Sequence, residues 1–273
     1  MSAGPLSGRG RASVAVLALV AVVAAAVVLP RLVGSLARSE RPVWSDEFAG
    51  PEGAAPADHW TPAEGGGGWG NEELQTYTSR PENVALDGDG HLRITARRES
   101  DGSFTSARLQ STAGFVRGRI EARIRVPAGA GLWSAFWTLG AGGTRVGWPR
   151  SGEIDVMEVM NDTRTVNANV HVADAASPDG RGQAPGLLTR DAPLADGWHV
   201  YGLEWSRERL VFTLDGREYH RITRGEVADW PFDEAQVLLL NLAVGGRWPG
   251  PPDASTPFPA TMLVDWVRVY PEA

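Results

Sequence analysis

The chain reads as an all-β protein, most simply a two-sheet sandwich, preceded by one apolar N-terminal helix. Three observations carry that reading. Arg119-Ile120-Glu121-Ala122-Arg123-Ile124-Arg125-Val126 alternates polar and apolar without a fault and stops at Pro127, the pattern of a half-buried antiparallel strand. Asp215-Gly216 joins two further runs, Arg209–Leu214 and Arg217–Arg221, as a two-residue hairpin turn does. Beyond the N-terminal segment no stretch sustains the 3.6-residue period of an amphipathic helix. Sheets that are apolar on one face bury that face against another sheet, hence the sandwich.

In chain order, Arg9 and Arg11 precede an apolar run from Ala12 to Leu29 that Pro30 and Arg31 end. Such a run exceeds the usual signal core of about 7–15 residues and approaches the ~20 of a spanning helix. Residues 1–34 are therefore a signal peptide or a membrane anchor, the anchor being favoured because no clean small-x-small cleavage site follows. Arg31, Arg38 and Arg41 come after the run, so charge bias does not set its orientation. Residues 35–42 read as a linker and 43–273 as the folded domain. Either reading of the N-terminus puts that domain outside the membrane, secreted or anchored, and makes this segment its only membrane contact.

Further strands follow. Leu92–Arg97 comes after the turn Asp87-Gly88-Asp89-Gly90, and Thr165–Val172 after Asn161-Asp162-Thr163. His199–Trp205, Gln236–Ala243 and Met262–Tyr270 complete the set. Ala173–Thr189, rich in Ala, Gly and Pro, reads as the longest loop. There is no Cys, which excludes disulfides and thiolate chemistry; a domain of this length buries enough surface without them. The net charge is −7, with no basic block outside the N-terminus, which argues against nucleic acid as a partner. No exposed heptad or apolar stripe asks for a protein partner, so a monomer is expected.

The chemistry is centred on Gly152-Glu153-Ile154-Asp155-Val156-Met157-Glu158-Val159-Met160, where three carboxylates sit among apolar residues. Burying such charge is costly unless it is paired or used. On a helix Glu153 and Glu158, five apart, miss each other's face. On a strand Glu153 and Asp155 share a face, and one bulge at Val156-Met157 would turn Glu158 back to join them. A row of this kind suits glycoside hydrolysis, which needs two carboxyl groups flanking the sugar–sugar bond. A third acid between them splits their proton affinities. A solvated polar face, or a carboxylate-rich metal site, would give the same local pattern.

Tryptophan is abundant, 11 against 4 Tyr and 7 Phe, and it gathers near the acids. Trp133, Trp137 and Trp148 precede them, while Trp69 and Trp248 lie beside glycines. Indoles pack on the C–H faces of sugars with an N–H to spare. Trp69 and Trp248 read as sugar contacts, Trp133 and Trp137 equally as core, and Trp205 and Trp266 as core. His171, at the end of the next strand, can approach the carboxylates if the two strands pair.

At this point the residues resemble a family. Glu153-Ile154-Asp155-Val156-Met157-Glu158 is similar to the E-x-D-x-x-E signature of glycoside hydrolase family 16 in its bulged, laminarinase-like form. Trp69-Gly70-Asn71-Glu72-Glu73-Leu74-Gln75-Thr76-Tyr77 resembles the family's W-G-N-x-E-L-Q-x-Y segment. Gly118–Ile124, Gly131–Trp137, Asn241–Gly250 and Val264–Tyr270 resemble its further blocks, in family order.

The resemblance implies a curved two-sheet β-jelly-roll, concanavalin A-like, over 43–273, with a substrate cleft across one sheet. It implies a retaining endo-glycosidase for β-1,3-glucan, with a transglycosylase, a mixed-linkage glucan or galactan hydrolase, or a non-catalytic glucan-binding module as alternatives. By similarity Glu153 is the nucleophile, Glu158 the acid/base and Asp155 the residue that assists the nucleophile. Asn71, Trp133, Trp137, Trp148 and His171 would line the sugar subsites. No cofactor is needed for catalysis. The resemblance also implies a structural Ca2+ on the opposite side, held by Asp265 and the backbone at Gly90 and Glu47. Arg247, where Asn or Thr is usual, stands beside Trp248 and would hydrogen-bond a sugar or favour an anionic one.

Overall fold

The computed structural model describes Met1, Gly4 and residues 41–272. The apolar run Ala12–Leu29, on which the signal-or-anchor reading rests, and all but the end of the 35–42 linker lie outside the described residues. Among the described residues no helix is long and apolar enough to cross a membrane.

Pro42–Ala273 is one unit built of two sheets. In chain order the strands are β1 (Trp44–Asp46), β2 (Trp60–Ala63), β3 (Gln75–Tyr77), β4 (Val84–Leu86), β5 (Leu92–Arg98), β6 (Phe104–Ser106), β7 (Arg108–Phe115), β8 (Gly118–Arg125) and β9 (Gly129–Gly140). After one helical turn, Gly143–Val146, come β10 (Glu153–Asn161), β11 (Thr165–Ala173), β12 (Arg181–Gln183), β13 (Gly186–Thr189), β14 (His199–Trp205), β15 (Arg209–Leu214), β16 (Arg217–Thr223), β17 (Gln236–Val244) and β18 (Ala260–Tyr270). One sheet runs β16-β15-β14-β8-β18-β5-β6-β3, with β1 on β18 and β4 on β5; the other runs β12-β11-β10-β9-β17-β7-β2, with β13 on β11.

Alternation explains the packing. On β8, Ile120, Ala122 and Ile124 are fully buried while Arg119, Arg123 and Arg125 point away. They meet Ile154, Leu238, Leu240 and Leu242 of the facing sheet in one continuous core. Because hydrophobic gain scales with the apolar area removed from water, this core supplies most of the fold's stability. β17 lies between β9 and β7 and is buried along its whole length, as a central strand covered on both faces must be.

The two-sheet all-β expectation holds, with two corrections to detail. Ala173–Thr189 is not a loop: it contains β12 and β13, both paired to β11. Trp266 is not core. The β18–β8 ladder slips between Val264 and Trp266, so Trp266 pairs with outward-facing Arg123. A one-residue slip flips the alternation, and the indole ends half-buried under the Arg268 guanidinium, 4.1 Å from its ring centroid. Trp205 is core, 1% exposed.

Candidate active site

β10 lies inside the second sheet, between β9 and β11. The chain enters it through Gly152, whose φ is 75° and where an added Cβ would meet Pro231 Cγ at 2.6 Å. Glycine tolerates both the positive φ and the close approach. Asp155 then pairs with Trp137 and Met157 with Phe136, so two residues of β10 oppose one of β9; the β11 side slips over the same span. This is a bulge at Val156-Met157, and it turns Glu158 to the face of Glu153 and Asp155. Ile154, Val156, Met157 and Val159 fill the core behind.

The three carboxyls feel one another. Burial, then the charges of Asp155 and Glu153, hold the Glu158 carboxyl well above the usual range, with only the Trp133 N–H working against them. That N–H donates to Glu158 Oε1 at 3.1 Å. Burial and the Asp155 charge raise Glu153 as well, but three groups oppose them: His171, the Trp148 N–H and Arg108. Trp148 Nε1 donates to Glu153 Oε2 at 3.0 Å. The two outer acids thus differ in their partners: His171 and Arg108 favour the charge on Glu153, whereas Glu158 is helped only by an indole N–H, so Glu153 is the one to ionise first.

His171 pairs with Glu153 across the β10–β11 ladder. Its Nε2 stands 3.2 Å from Asp155 Oδ2 and 3.7 Å from Glu153 Oε1. The contact with Asp155 is an ion pair. Burial disfavours the imidazolium, yet the contact with Asp155 and the charges of both carboxylates outweigh it and raise the His171 pKa. Glu153, Asp155 and His171 bring donor atoms within 4.8 Å of one another. A metal held there would have to displace the proton that the two carboxylates favour on His171.

The floor runs from the acids across β9, β17 and β7. Trp137 Nε1 donates to Asn241 Oδ1 at 2.7 Å, Asn241 Nδ2 donates to Tyr77 Oη at 3.1 Å, and Tyr77 Oη donates to Glu73 Oε2 at 3.3 Å. Asn71 and Gln75 also donate to Glu73, at 3.3 and 2.6 Å. Gln75 in turn accepts the Val244 N–H at 2.8 Å. Near the rim, Gly245 with φ 70° leaves space for Leu74, which an added Cβ would meet at 2.6 Å.

Most of the residues expected in the cleft meet there. Trp133, Trp137, Trp148 and His171 surround the acids, and Trp133 is a buried partner of Glu158 rather than a purely structural residue. Asn71 joins through Glu73. Trp248, 52% exposed, packs edge-on against Trp133 with ring centroids 5.6 Å apart. Trp69 leans on Tyr77 at 5.2 Å and donates its N–H to Gly65 O at 3.1 Å. Arg247 lies at the rim, where its guanidinium donates to Glu72 at 2.9 Å; Glu72 already balances its charge.

Sequence reasoning missed Arg108. Its guanidinium sits between Trp69 and Trp137, 4.9 and 4.6 Å from their ring centroids. Burial lowers its pKa, while Tyr77, Glu73 and Glu153 support the cation. The signal was there: Arg108 and Gln110 alternate with buried Ala107 and Leu109.

The residues proposed for Ca2+ do not fit the ion as arranged. The Asp265 carboxylate is bonded to the Arg123 guanidinium, so the one anionic ligand is already neutralised. Gly90 and Glu47 would add only neutral backbone carbonyls, the Glu47 side chain being held by Arg268 at 2.9 and 2.7 Å. A hard divalent cation takes its affinity from ligand charge.

Comparison with known proteins agrees with this geometry. Residues 71–268 match the profile of glycosyl hydrolases family 16. A beta-glucanase of Rhodothermus marinus is 39% identical over 247 residues, covering 84% of this chain and 84% of that protein. A glucan endo-1,3-beta-glucosidase of Cryptopygus antarcticus is 36% identical over 244 residues, covering 82% and 86%. The laminarinase catalytic domain of Thermotoga maritima superposes with a TM-score of 0.77 at 36% identity, covering 86% of this chain and 99% of that one.

Proposed function

The chain belongs to glycosyl hydrolases family 16, and from that premise we propose that it is a retaining endo-glycosidase acting on β-1,3-linked glucan, with Glu153 as nucleophile and Glu158 as acid/base. The observation that carries the assignment is the unequal setting of two carboxyls on one face: Glu153 beside His171 and Arg108, Glu158 enclosed with only an indole N–H.

The first step follows from that inequality. In the molecules that hold Glu153 ionised and Glu158 protonated, the Glu153 carboxylate attacks the anomeric carbon while the Glu158 proton passes to the glycosidic oxygen, the C–O bond breaks, and the leaving sugar departs as an alcohol. Esterified Glu153 no longer carries charge. One of the groups holding the Glu158 pKa up is thereby removed, so Glu158, now ionised, becomes a competent base. It takes a proton from water, whose oxygen attacks the same carbon and frees Glu153. Asp155 stays between them and favours the imidazolium form of His171. Catalysis in this scheme uses no cofactor, and a structural Ca2+ would first have to displace Arg123 from Asp265.

The comparisons with glucan-cleaving relatives support the substrate class. Trp137, Arg108, Asn71 and Trp248 form the surface on which successive glucosyl units would lie. The domain acts as a monomer outside the cell, secreted or tethered by its N-terminal segment, a reading that rests on the Ala12–Leu29 run. The test is the product profile on a panel of β-glucans. Release of short oligosaccharides from laminarin is expected, with the β-anomer formed first by NMR. No release from any β-glucan defeats the substrate, and products longer than the substrate would favour transglycosylation.

A further inference from the structure

Beyond Trp148 lies a residue for which the catalytic scheme has no use. Arg181 opens β12, and the β11–β12 ladder sets His171 opposite Gln183 and Ala173 opposite Arg181. Side chains directly across an antiparallel ladder share a face. Arg181 therefore stands on the cleft face, two ladder pairs beyond His171 and next to it on that face. Its guanidinium carbon is 4.6 Å from the centroid of the Trp148 ring.

Trp148 needs such support. It is 42% exposed and rides on the excursion between β9 and β10, next to Gly147 with φ 75°. Three contacts fix its ring: the Arg181 guanidinium, His171 at a centroid distance of 5.7 Å and a tilt of 44°, and its own N–H bond to Glu153. A guanidinium over an indole is an attractive, face-directed contact, so it restrains orientation and not merely distance.

We propose that Arg181 is a positioning residue that clamps the Trp148 indole so that its N–H stays on Glu153, making Trp148 a strut for the nucleophile rather than an open sugar platform. The proposal rests on the reading of Glu153 as the nucleophile. The groups that face Glu153 are Asp155 and Glu158 on its own strand, His171 on β11 and Arg108 on β7; the charge of Arg181 bears on His171. Loss of Arg181 must therefore reach Glu153 through the indole or the imidazole.

The experiment is a 13C NMR titration of the Glu153 carboxyl in the full chain, in the wild type, Arg181→Ala, Trp148→Phe and the double variant. Trp148→Phe removes the N–H and is expected to move the titration up by about one pH unit. Arg181→Ala should move it up by about half as much, and the double variant no further than Trp148→Phe alone. Arg181→Lys, which keeps the charge without the flat guanidinium, should retain most of the Arg181→Ala shift. An Arg181→Ala titration like that of the wild type, additive shifts in the double variant, or full recovery with lysine would each overturn the proposal. The titration reads Glu153 whether or not any glucan is cleaved, so failure here is distinct from failure of the assigned activity.

Discussion

Glu153→Gln separates what the acid does from what it costs the fold. Burial and the Asp155 charge push this carboxyl from 4.5 to about 8. Between those values the folded chain keeps a proton that the unfolded chain has released, so stability falls as pH rises through that window. Below pH 4.5 the group is neutral in both states and the penalty vanishes. At pH 6 it amounts to about 2 kcal/mol, and glutamine, which never ionises, is relieved of it. For a domain of this size the gain corresponds to a Tm rise of roughly 4–8 °C. The Trp148 N–H still finds an oxygen acceptor in glutamine, and His171 still has Asp155, so little is lost in exchange. Calorimetry from pH 4 to pH 8 is the assay: the variant should gain on the wild type as pH rises, with no gain at pH 4. Activity should fall by on the order of 10³-fold or more. A wild type at least as stable as the variant at pH 6 and above would refute the reasoning, since Glu153 would then be comfortably ionised in the fold.

Other outcomes follow from neighbouring contacts. Trp133→Phe removes the one N–H that favours ionised Glu158, so the alkaline limb of kcat/KM against pH should move up by about one unit; a downward move contradicts the assigned donor. Arg108→Leu strips the cleft floor of its cation and of a charge that favours ionised Glu153. It should raise KM for glucan by about tenfold and move the acid limb of the profile up, both read from initial rates across pH; an unchanged KM would place Arg108 outside the cleft's working surface. EDTA should leave both activity and Tm unaltered, because Arg123 already neutralises Asp265. A Tm loss on chelation that Ca2+ restores would show that the ion displaces the arginine.

Much was fixed by short-range pattern. Period-two alternation marked β8 and β5, Asp215-Gly216 marked the β15–β16 hairpin, and three acids in an apolar run marked β10 as the chemical strand. Those features are local, since a strand's two faces and a turn's backbone angles are set within a few residues. What only the tertiary structure decided depends on which strand lies beside which. The bulge that the acid spacing asked for at Val156-Met157 was decided by how β9 and β11 lie against β10, and a similar slip on β18, which nothing in the local pattern marked, carried Trp266 out of the core. Trp133 and Trp148 became partners of particular acids, and Arg108, 45 residues before Glu153, arrived in the cleft by way of β17 and β9. Arg123 met Asp265 by the same kind of non-local pairing. A sequence states which side chains share a face, but the distance between charges on different strands exists only once the ladders have chosen their register.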